Sequence, residues 1–127
     1  MKRVTGIGGI FFKCKDPKIT KAWYGKHLGL PVDDYGCTFK WRELDKPDTV
    51  PPAQTVWSPF KEDSNYFAPS EKPYMFNYRV ENLVELLKVL KEEGVEIVGE
   101  MQEFSYGKFG WILDPEGNKI ELWEPKD

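Results

Sequence analysis

Hydrophobic and polar positions divide the first part of the chain into a strand followed by a helix. The run GGIFFKC at 8–14 is β-rich and ends at KDPK, where Asp16 can cap a helix and Pro17 fits its first turn. Gly29, with Pro31 beyond it, ends the predicted helix. Its apolar stripe follows i, i+3, i+4 spacing and comprises Ile19, Ala22 and Trp23, with His27 as a further candidate member.

Two strands with a Pro-containing loop between them complete the first half. The segment GCTFKWRE alternates apolar Cys37, Phe39 and Trp41 with polar neighbours, which is typical of a half-buried strand. The loop LDKPDTVPP leads to a second strand, AQTVWS. If LPVDDY supplies a short strand after the helix, the order of the first half is β-α-β-β-β.

The second half repeats this order. Residues 74–80, YMFNYRV, are predicted to form a strand, and ENLVELLKVLKEEGV a helix capped by Asn82, with Glu85 in its first turn. Leucine spacing places one apolar face on this helix, made of Leu83, Leu86, Leu87 and Leu90. The segments VEIVGE, FGWILD and NKIELWE follow as strands, and the turn DPEGN joins the last two. Lys13 aligns with Arg79 and Asp16 with Asn82 at one constant offset, which indicates internal duplication. We therefore predict an α+β fold of two βαβββ modules, at about 1–60 and 73–127, with a linker at about 61–72.

Composition limits the possible partners. The 127 residues carry a net charge of −3 with dispersed basic residues, so we expect no nucleic acid and no anionic membrane as partner. No segment has the roughly 20 apolar residues that span a bilayer, and the N-terminus does not resemble a signal peptide. Cys14 and Cys37 form no CxxC motif, which favours reduced thiols in a cytoplasmic protein.

Two motifs resemble those of a known superfamily. The segment KDPKITKAWYGKHLGLPV after the first strand and the ending DPEGNKIELWEP are similar to the vicinal oxygen chelate superfamily, which contains glyoxalase I, extradiol dioxygenases and bleomycin-resistance proteins. The resemblance covers nearly the whole chain. It implies two modules related by a pseudo-twofold axis, with sheets that curl around a central cavity, and commonly a homodimer. In glyoxalase-like members, four side chains hold a divalent metal ion, two from each half.

The resemblance places those four ligand positions at residues that mostly cannot bind a metal ion. They are Gly9, Trp57 (with Ser58 as the alternative), Met75 and Glu121. Glycine has no donor atom, the indole nitrogen only donates a proton, and a thioether is a soft ligand. Catalytic sites keep about three protein ligands. We therefore expect no cofactor, and a divalent metal ion held with the help of Glu121 stays open as the alternative.

Strand alternation assigns side chains to the cavity. If Gly9 and Met75 face it, Ile10, Phe12, Phe76, Tyr78, Val80, Ile120 and Leu122 pack beneath the helices. The segment EFSYGKFG contains two glycines and is predicted to be a flexible loop over the cavity mouth, with Tyr106 as a candidate gate. Lys13 and Arg79 are either an anion clamp or structural cations, and Lys119 also falls on the cavity side. The predicted ligand-binding residues are Phe11, Lys13, Trp57, Met75, Asn77, Arg79, Tyr106 and Trp123.

Three functions from different classes follow. The first is a metal-free protein that binds a small aromatic or apolar compound. The second is an enzyme of the glyoxalase or dioxygenase type, with Glu121 as general base or as a metal ligand joined by Glu43 or Glu103. The third is a structural dimer with a filled cavity.

Several residues have a structural reading beside the functional one. Glu121 is a candidate catalytic group or a structural carboxylate paired with Lys119, Lys13 or Arg79. Tyr66 and Phe67, in the linker, close over a ligand or cover a dimer seam. His27, the one histidine, is interpreted as a helix-end residue and Cys14 as a residue beneath a helix.

Overall fold

The computed structural model describes residues 2–126, which form one seven-stranded sheet and two helices. No helix in this range is long and apolar enough to cross a bilayer. The sheet order is β2-β3-β1-β4-β7-β6-β5. The elements are β1 (Val4–Cys14), α1 (Pro17–Leu28), β2 (Cys37–Trp41), β3 (Ala53–Lys61), β4 (Tyr74–Val80), α2 (Leu83–Glu92), β5 (Gln102–Phe104), β6 (Gly107–Leu113) and β7 (Lys119–Pro125).

The two halves join edge to edge at the centre of the sheet. β1 and β4, the first strands of the halves, pair antiparallel. Each also has a parallel neighbour from its own half, β3 beside β1 and β7 beside β4. This arrangement confirms the predicted α+β fold with two related halves.

Three predicted elements differ from those observed. LPVDDY forms no strand, because the Asp33 carboxylate accepts hydrogen bonds from the backbone N–H groups of Tyr35 and Gly36 and closes a turn. VEIVGE makes only one isolated bridge, at Ile97, since left-handed glycines at 94 and 99 bound it. EFSYGKFG is a β5–β6 hairpin rather than a flexible loop.

The ends of α1 agree with the sequence, but its buried face does not. Asp16 caps the helix by accepting from the N–H groups of Lys18 and Ile19, and Gly29 ends it in the left-handed region. The predicted stripe is exposed, with Ile19 68% and Trp23 52% accessible. Tyr24 faces the sheet instead, because its ring packs against the rings of Phe12 and Trp57. His27 is exposed in the last turn, and Cys14 is half-buried.

The second helix packs as predicted. Asn82 caps α2, and the leucine face covers Val80 and Leu122 on the sheet, with Tyr78 and Ile120 packed against the same cluster. Strand alternation also predicts that Ile10 of β1 and Phe76 of β4, which point to the helix face of the sheet, are covered by the helices. They are exposed, because they lie between the areas that α1 and α2 cover.

The linker packs against the face of the sheet opposite the helices. Phe67 is fully buried there in a cluster with Phe11, Met75 and Trp111. The linker is therefore part of the core, and it occupies one end of the face that carries the cavity described next.

Candidate ligand-binding site

A cavity of about 410 Å³ lies on the face of the sheet opposite the helices, beside the linker. Five strands contribute to it, from β3 through β1, β4 and β7 to β6. Because its walls come from so many adjacent strands, the sheet itself forms the hollow. The side chains that matter below are Phe11, Asn77, Arg79, Phe109, Glu121 and Trp123.

A β-bulge in β1 brings neighbouring side chains close to the backbone at Gly8. The pairing of β1 with β4 shifts register between Ile7 and Gly9, which leaves Gly8 as the extra residue. A Cβ on Gly8 would lie 2.2 Å from Asn77 Oδ1 and 3.0 Å from Trp123 Cε3. Glycine at this position therefore allows both side chains to pack onto the strand.

Glu121 is the centre of a hydrogen-bond network in the cavity wall. It is only 3% exposed. Oε1 accepts from Asn77 Nδ2 at 2.7 Å, and Oε2 accepts from Trp111 Nε1 at 2.9 Å and from the Tyr66 hydroxyl. Both oxygens are thus engaged by neutral protein donors, which is how a buried carboxylate is stabilised without a counter-ion.

The partners of Glu121 differ from the expected lysines and arginine. Strand register decides this, because Asn77 and Trp111 stand directly opposite Glu121 on β4 and β6. Lys119 instead donates from Nζ to the Tyr66 backbone oxygen at 2.7 Å.

The surroundings of Glu121 shift the pKa values of two neighbouring side chains, Tyr66 and Lys119. Burial raises the pKa of Tyr66 strongly, and the charge of Glu121 and the hydrogen bond to it raise that pKa further, so Tyr66 is the proton donor. Burial lowers the pKa of Lys119, and the negative charge of Glu121 opposes this shift.

Arg79 is a buried cation held over aromatic rings. It is 6% exposed, and its guanidinium carbon lies 5.2 Å from the ring centroid of Trp123 and 5.8 Å from that of Trp41. Phe109 is parallel to Trp123 within 5°, and Tyr106 packs edge-on against Phe109. One side of the cavity is therefore an aromatic wall with a cation at its end.

The predicted ligand-binding residues divide into three groups. Met75 and Lys13 belong to the linker side, where Met75 is in the core and Lys13 Nζ lies 5.5 Å from the Phe67 ring centroid. Trp57 is on the opposite face. The cavity itself brings together Phe11, Asn77, Arg79, Tyr106, Trp123 and the candidate catalytic residue Glu121.

The expectation that Trp57 faces the cavity is wrong. Its ring packs on the α1 side against Tyr24 and Phe12, with centroid distances of 4.8 and 5.4 Å. Val56, its neighbour, lies opposite Gly9 and lines the cavity. The sequence alignment was one residue out of register, which reverses the face of a strand residue. The alternative, Ser58, donates to the Tyr35 backbone oxygen.

The side chains at the four family positions do not fit a divalent metal ion. A Cβ on Gly9 would meet the Phe11 ring at 2.7 Å, so Phe11 occupies the space of a first ligand. Among residues 2–126, no three His, Cys, Asp or Glu side chains converge.

The two carboxylates considered as partners of Glu121 are engaged elsewhere. Glu43 pairs with Lys46 at 3.2 Å, and Glu103 pairs with Lys126 at 2.8 Å. Neither of them lies beside Glu121. A metal ion in the cavity would therefore find a single carboxylate as ligand, and both oxygens of that carboxylate already accept hydrogen bonds.

Sequence reasoning missed four residues that shape the site: Gly8, Trp41, Phe109 and Trp111. The contact of Trp111 with Glu121 could have been predicted from the turn at 114–118, because a hairpin closed by that turn pairs these two residues. No comparable signal exists for Gly8, because a bulge depends on the register between distant strands.

Replacing Glu121 by glutamine tests the network. We expect Glu121→Gln to lower the free energy of unfolding by roughly 1–3 kcal/mol, because an amide nitrogen facing either set of donors leaves buried groups unpaired. Chemical denaturation measures the change, and exposed Glu116→Gln is the matched control. Equal stability of the two variants would contradict the network.

The raised pKa of Tyr66 predicts a pH dependence. The hydrogen bond contributes stability below the pKa of about 10 in the unfolded chain, and this contribution is lost as the pH rises further because only the unfolded state then releases the proton. The stability difference between wild type and Tyr66→Phe should therefore shrink from pH 9 to 11 in denaturant titrations. A stability difference that stays constant over that range would contradict the hydrogen bond between protonated Tyr66 and Glu121 as its cause.

Comparison with known proteins places this geometry in a family. Residues 6–122 match the model of the Glyoxalase/Bleomycin resistance protein/Dioxygenase superfamily. No curated protein sequence matches the chain significantly.

Solved structures share the fold at low sequence identity. Methylmalonyl-CoA epimerase from Mycobacterium tuberculosis is 18% identical, with a TM-score of 0.65 over 100% of this chain and 92% of that chain. A Streptomyces coelicolor methylmalonyl-CoA epimerase variant in complex with 2-nitronate-propionyl-CoA is 16% identical, with a TM-score of 0.70 over 98% and 99%.

A third neighbour carries the name of a different activity. The structure described as NAD-dependent benzaldehyde dehydrogenase from Legionella pneumophila is 11% identical, with a TM-score of 0.58 over 93% of this chain and 98% of that chain. At these identities the likeness concerns the fold alone. Because the family model spans most of the chain, this protein belongs to the glyoxalase/bleomycin resistance protein/dioxygenase superfamily.

Proposed function

We propose that this protein binds a small organic molecule with a flat apolar body in its cavity, without a metal ion. One observation carries the proposal: both oxygens of Glu121 are engaged by protein donors, while the surrounding wall is aromatic. A site of this kind recognises its ligand by shape and stacking rather than by coordination.

The dimensions of the cavity support this function. Its volume of about 410 Å³ lies within the range of roughly 300–1,000 Å³ that is usual for small-molecule pockets. A second hollow of about 300 Å³ lies beyond Tyr106 and Phe109, which line both. The exposed Tyr106 ring is therefore placed where a ligand would enter.

A second candidate is an enzyme that transfers a proton at Glu121. Two observations favour it: Glu121 lines the cavity in hydrogen-bonding contact with Tyr66, and structural neighbours are named epimerases. A carboxylate beside a protonated phenol has the groups that acid–base chemistry needs. Turnover of a bound compound, abolished in Glu121→Gln, would favour this candidate over a binding protein.

We also propose that the protein is a cytoplasmic homodimer. Ile10 and Phe76 are a cross-strand pair of β1 and β4, and Tyr74 pairs with Phe12 beside them, so exposed apolar side chains form one patch. Because β1 and β4 are equivalent antiparallel strands, the patch has local twofold character and suits an isologous contact with a second copy. The two cysteines are free, which is compatible with a reducing compartment.

Metal removal tests the central part of the proposal. Aromatic compounds found by a thermal-shift screen should bind equally well before and after treatment with EDTA, because no contact with the ligand involves an ion. At 100 times its dissociation constant, a ligand should add about 2.7 kcal/mol to stability. Binding that is lost with EDTA and restored by zinc, nickel or manganese would contradict the proposal.

A charge in the apolar patch tests the dimer. We expect wild type to elute as a dimer in size-exclusion chromatography with light scattering, and Phe76→Glu to elute as a folded monomer, since a buried unpaired carboxylate is costly. Tyr35→Glu, at an exposed loop position outside the patch, is the control. A monomeric wild type at micromolar concentration would refute the proposed homodimer.

A further inference from the structure

The second hollow, next to the cavity, has an almost wholly aromatic lining. Its volume is about 300 Å³, and a space of about 150 Å³ is enough to hold a benzene ring. The described residues that line it are Tyr66, Gln102, Phe104, Tyr106, Phe109 and Trp111. Gln102 is the one member of this set without a ring, so the hollow suits a flat apolar group better than a polar one.

The second hollow and the cavity are neighbours on one face of the sheet. The side chains of Tyr106 and Phe109 line both. The Tyr66 hydroxyl, from the lining of the second hollow, donates a hydrogen bond to Glu121 in the lining of the cavity. Because their linings share two side chains and are joined by this hydrogen bond, a single small molecule can reach both spaces.

A series of ring contacts runs from the cavity into the second hollow. It begins at Trp123 and passes through Phe109 and Tyr106 to Phe104, with successive centroids 5.9, 5.7 and 5.3 Å apart. The first pair of rings is parallel within 5° and the last pair within 6°. Each end of the series therefore offers aromatic surface on which a ligand ring can pack.

The aromatic rings of the second hollow are accessible to a ligand. Phe104 is 40% exposed and Tyr106 is 58% exposed. β5, which carries Phe104, is the edge strand of the sheet and has β6 as its one neighbour. A group of exposed aromatic rings beside a cavity is typical of a binding surface, because covering the rings removes apolar area from water.

We propose, on the basis of the function proposed above, that the ligand carries two aromatic rings joined by a short flexible bridge. One ring packs on Phe109 and Trp123 in the cavity, and the other packs on Phe104 and Tyr106 in the second hollow. The bridge crosses the boundary at Tyr106 and Phe109. A flexible bridge suits this boundary, because a rigid ring system that extends beyond one hollow would meet the two side chains between them.

Isothermal titration calorimetry with three neutral probes tests whether two rings bind together. N-benzylbenzamide carries two rings on an amide bridge, and N-methylbenzamide and N-benzylacetamide each keep the bridge and one ring. We expect N-benzylbenzamide to bind wild type at least about tenfold more tightly than the better of the two one-ring probes, because the second ring buries further aromatic surface.

Matched variants assign this gain to the second hollow. Phe104→Ala removes a wall of that hollow and no wall of the cavity, so the two-ring gain should fall to about threefold or less. The affinity of the better one-ring probe should stay within about twofold. Phe39→Ala is the control, because Phe39 is similarly exposed, at 45%, on β2 outside both hollows. Gln102→Trp, which fills the second hollow, should abolish the gain without removing a ring.

The outcomes distinguish this inference from the proposed function. Equal affinity of N-benzylbenzamide and the better one-ring probe for wild type overturns the inference, whether or not the variants fold. A two-ring gain that persists in Phe104→Ala and in Gln102→Trp overturns it too, because the second ring then lies elsewhere. Failure of all three probes also overturns it. If a thermal-shift screen then yields one-ring ligands, the proposed function stands; if the screen of aromatic and apolar compounds is blank, both fall.

Discussion

The carboxylate of Glu121 can be buried in an aromatic wall only if its oxygens find donors, and three separate segments supply them. Asn77 comes from β4, Trp111 from β6 and Tyr66 from the linker. Leaving such a charge unpaired in a low-dielectric site costs several kcal/mol. The network therefore ties the linker to the sheet, and it gives Glu121 a role that does not require a metal ion.

The same network divides the hollow of the sheet into a filled end and an open end. At the filled end, Phe67 packs on Phe11 and Met75. Two of the four family ligand positions are therefore closed, since Gly9 lies beneath the Phe11 ring and Met75 is part of the core. At the open end, Gly8 lets Asn77 and Trp123 approach the backbone of β1, and Arg79 lies over the adjacent rings. The open end therefore presents aromatic rings beside the buried carboxylate of Glu121, and the proposed recognition by shape and stacking depends on these rings.

Local patterns in the sequence were sufficient for the fold and for part of the site. Caps and leucine spacing predicted α2, and alternation within single strands placed Asn77, Arg79, Glu121 and Trp123 on one face. The predictions that were wrong or missing concern residues whose positions depend on how separate strands pair, which a single sequence does not show. Trp57 was assigned to the wrong face because the alignment of its strand was one residue out of register, and the bulge at Gly8 exists only relative to β4. The linker gave no periodic signal, so the burial of Phe67 and the contact of Tyr66 with Glu121 could not be read from it.

The indole N–H of Trp111 reports directly on whether Glu121 is held by protein donors or by an ion. In nitrogen-15-labelled protein, its resonance should be shifted by the hydrogen bond to Glu121, a shift that is lost in Glu121→Ala, which removes both acceptor oxygens. Manganese added at one equivalent should leave this resonance sharp. Stoichiometric broadening of the Trp111 signal by manganese, absent in Glu121→Gln, would show that a metal ion occupies the site and would contradict the account.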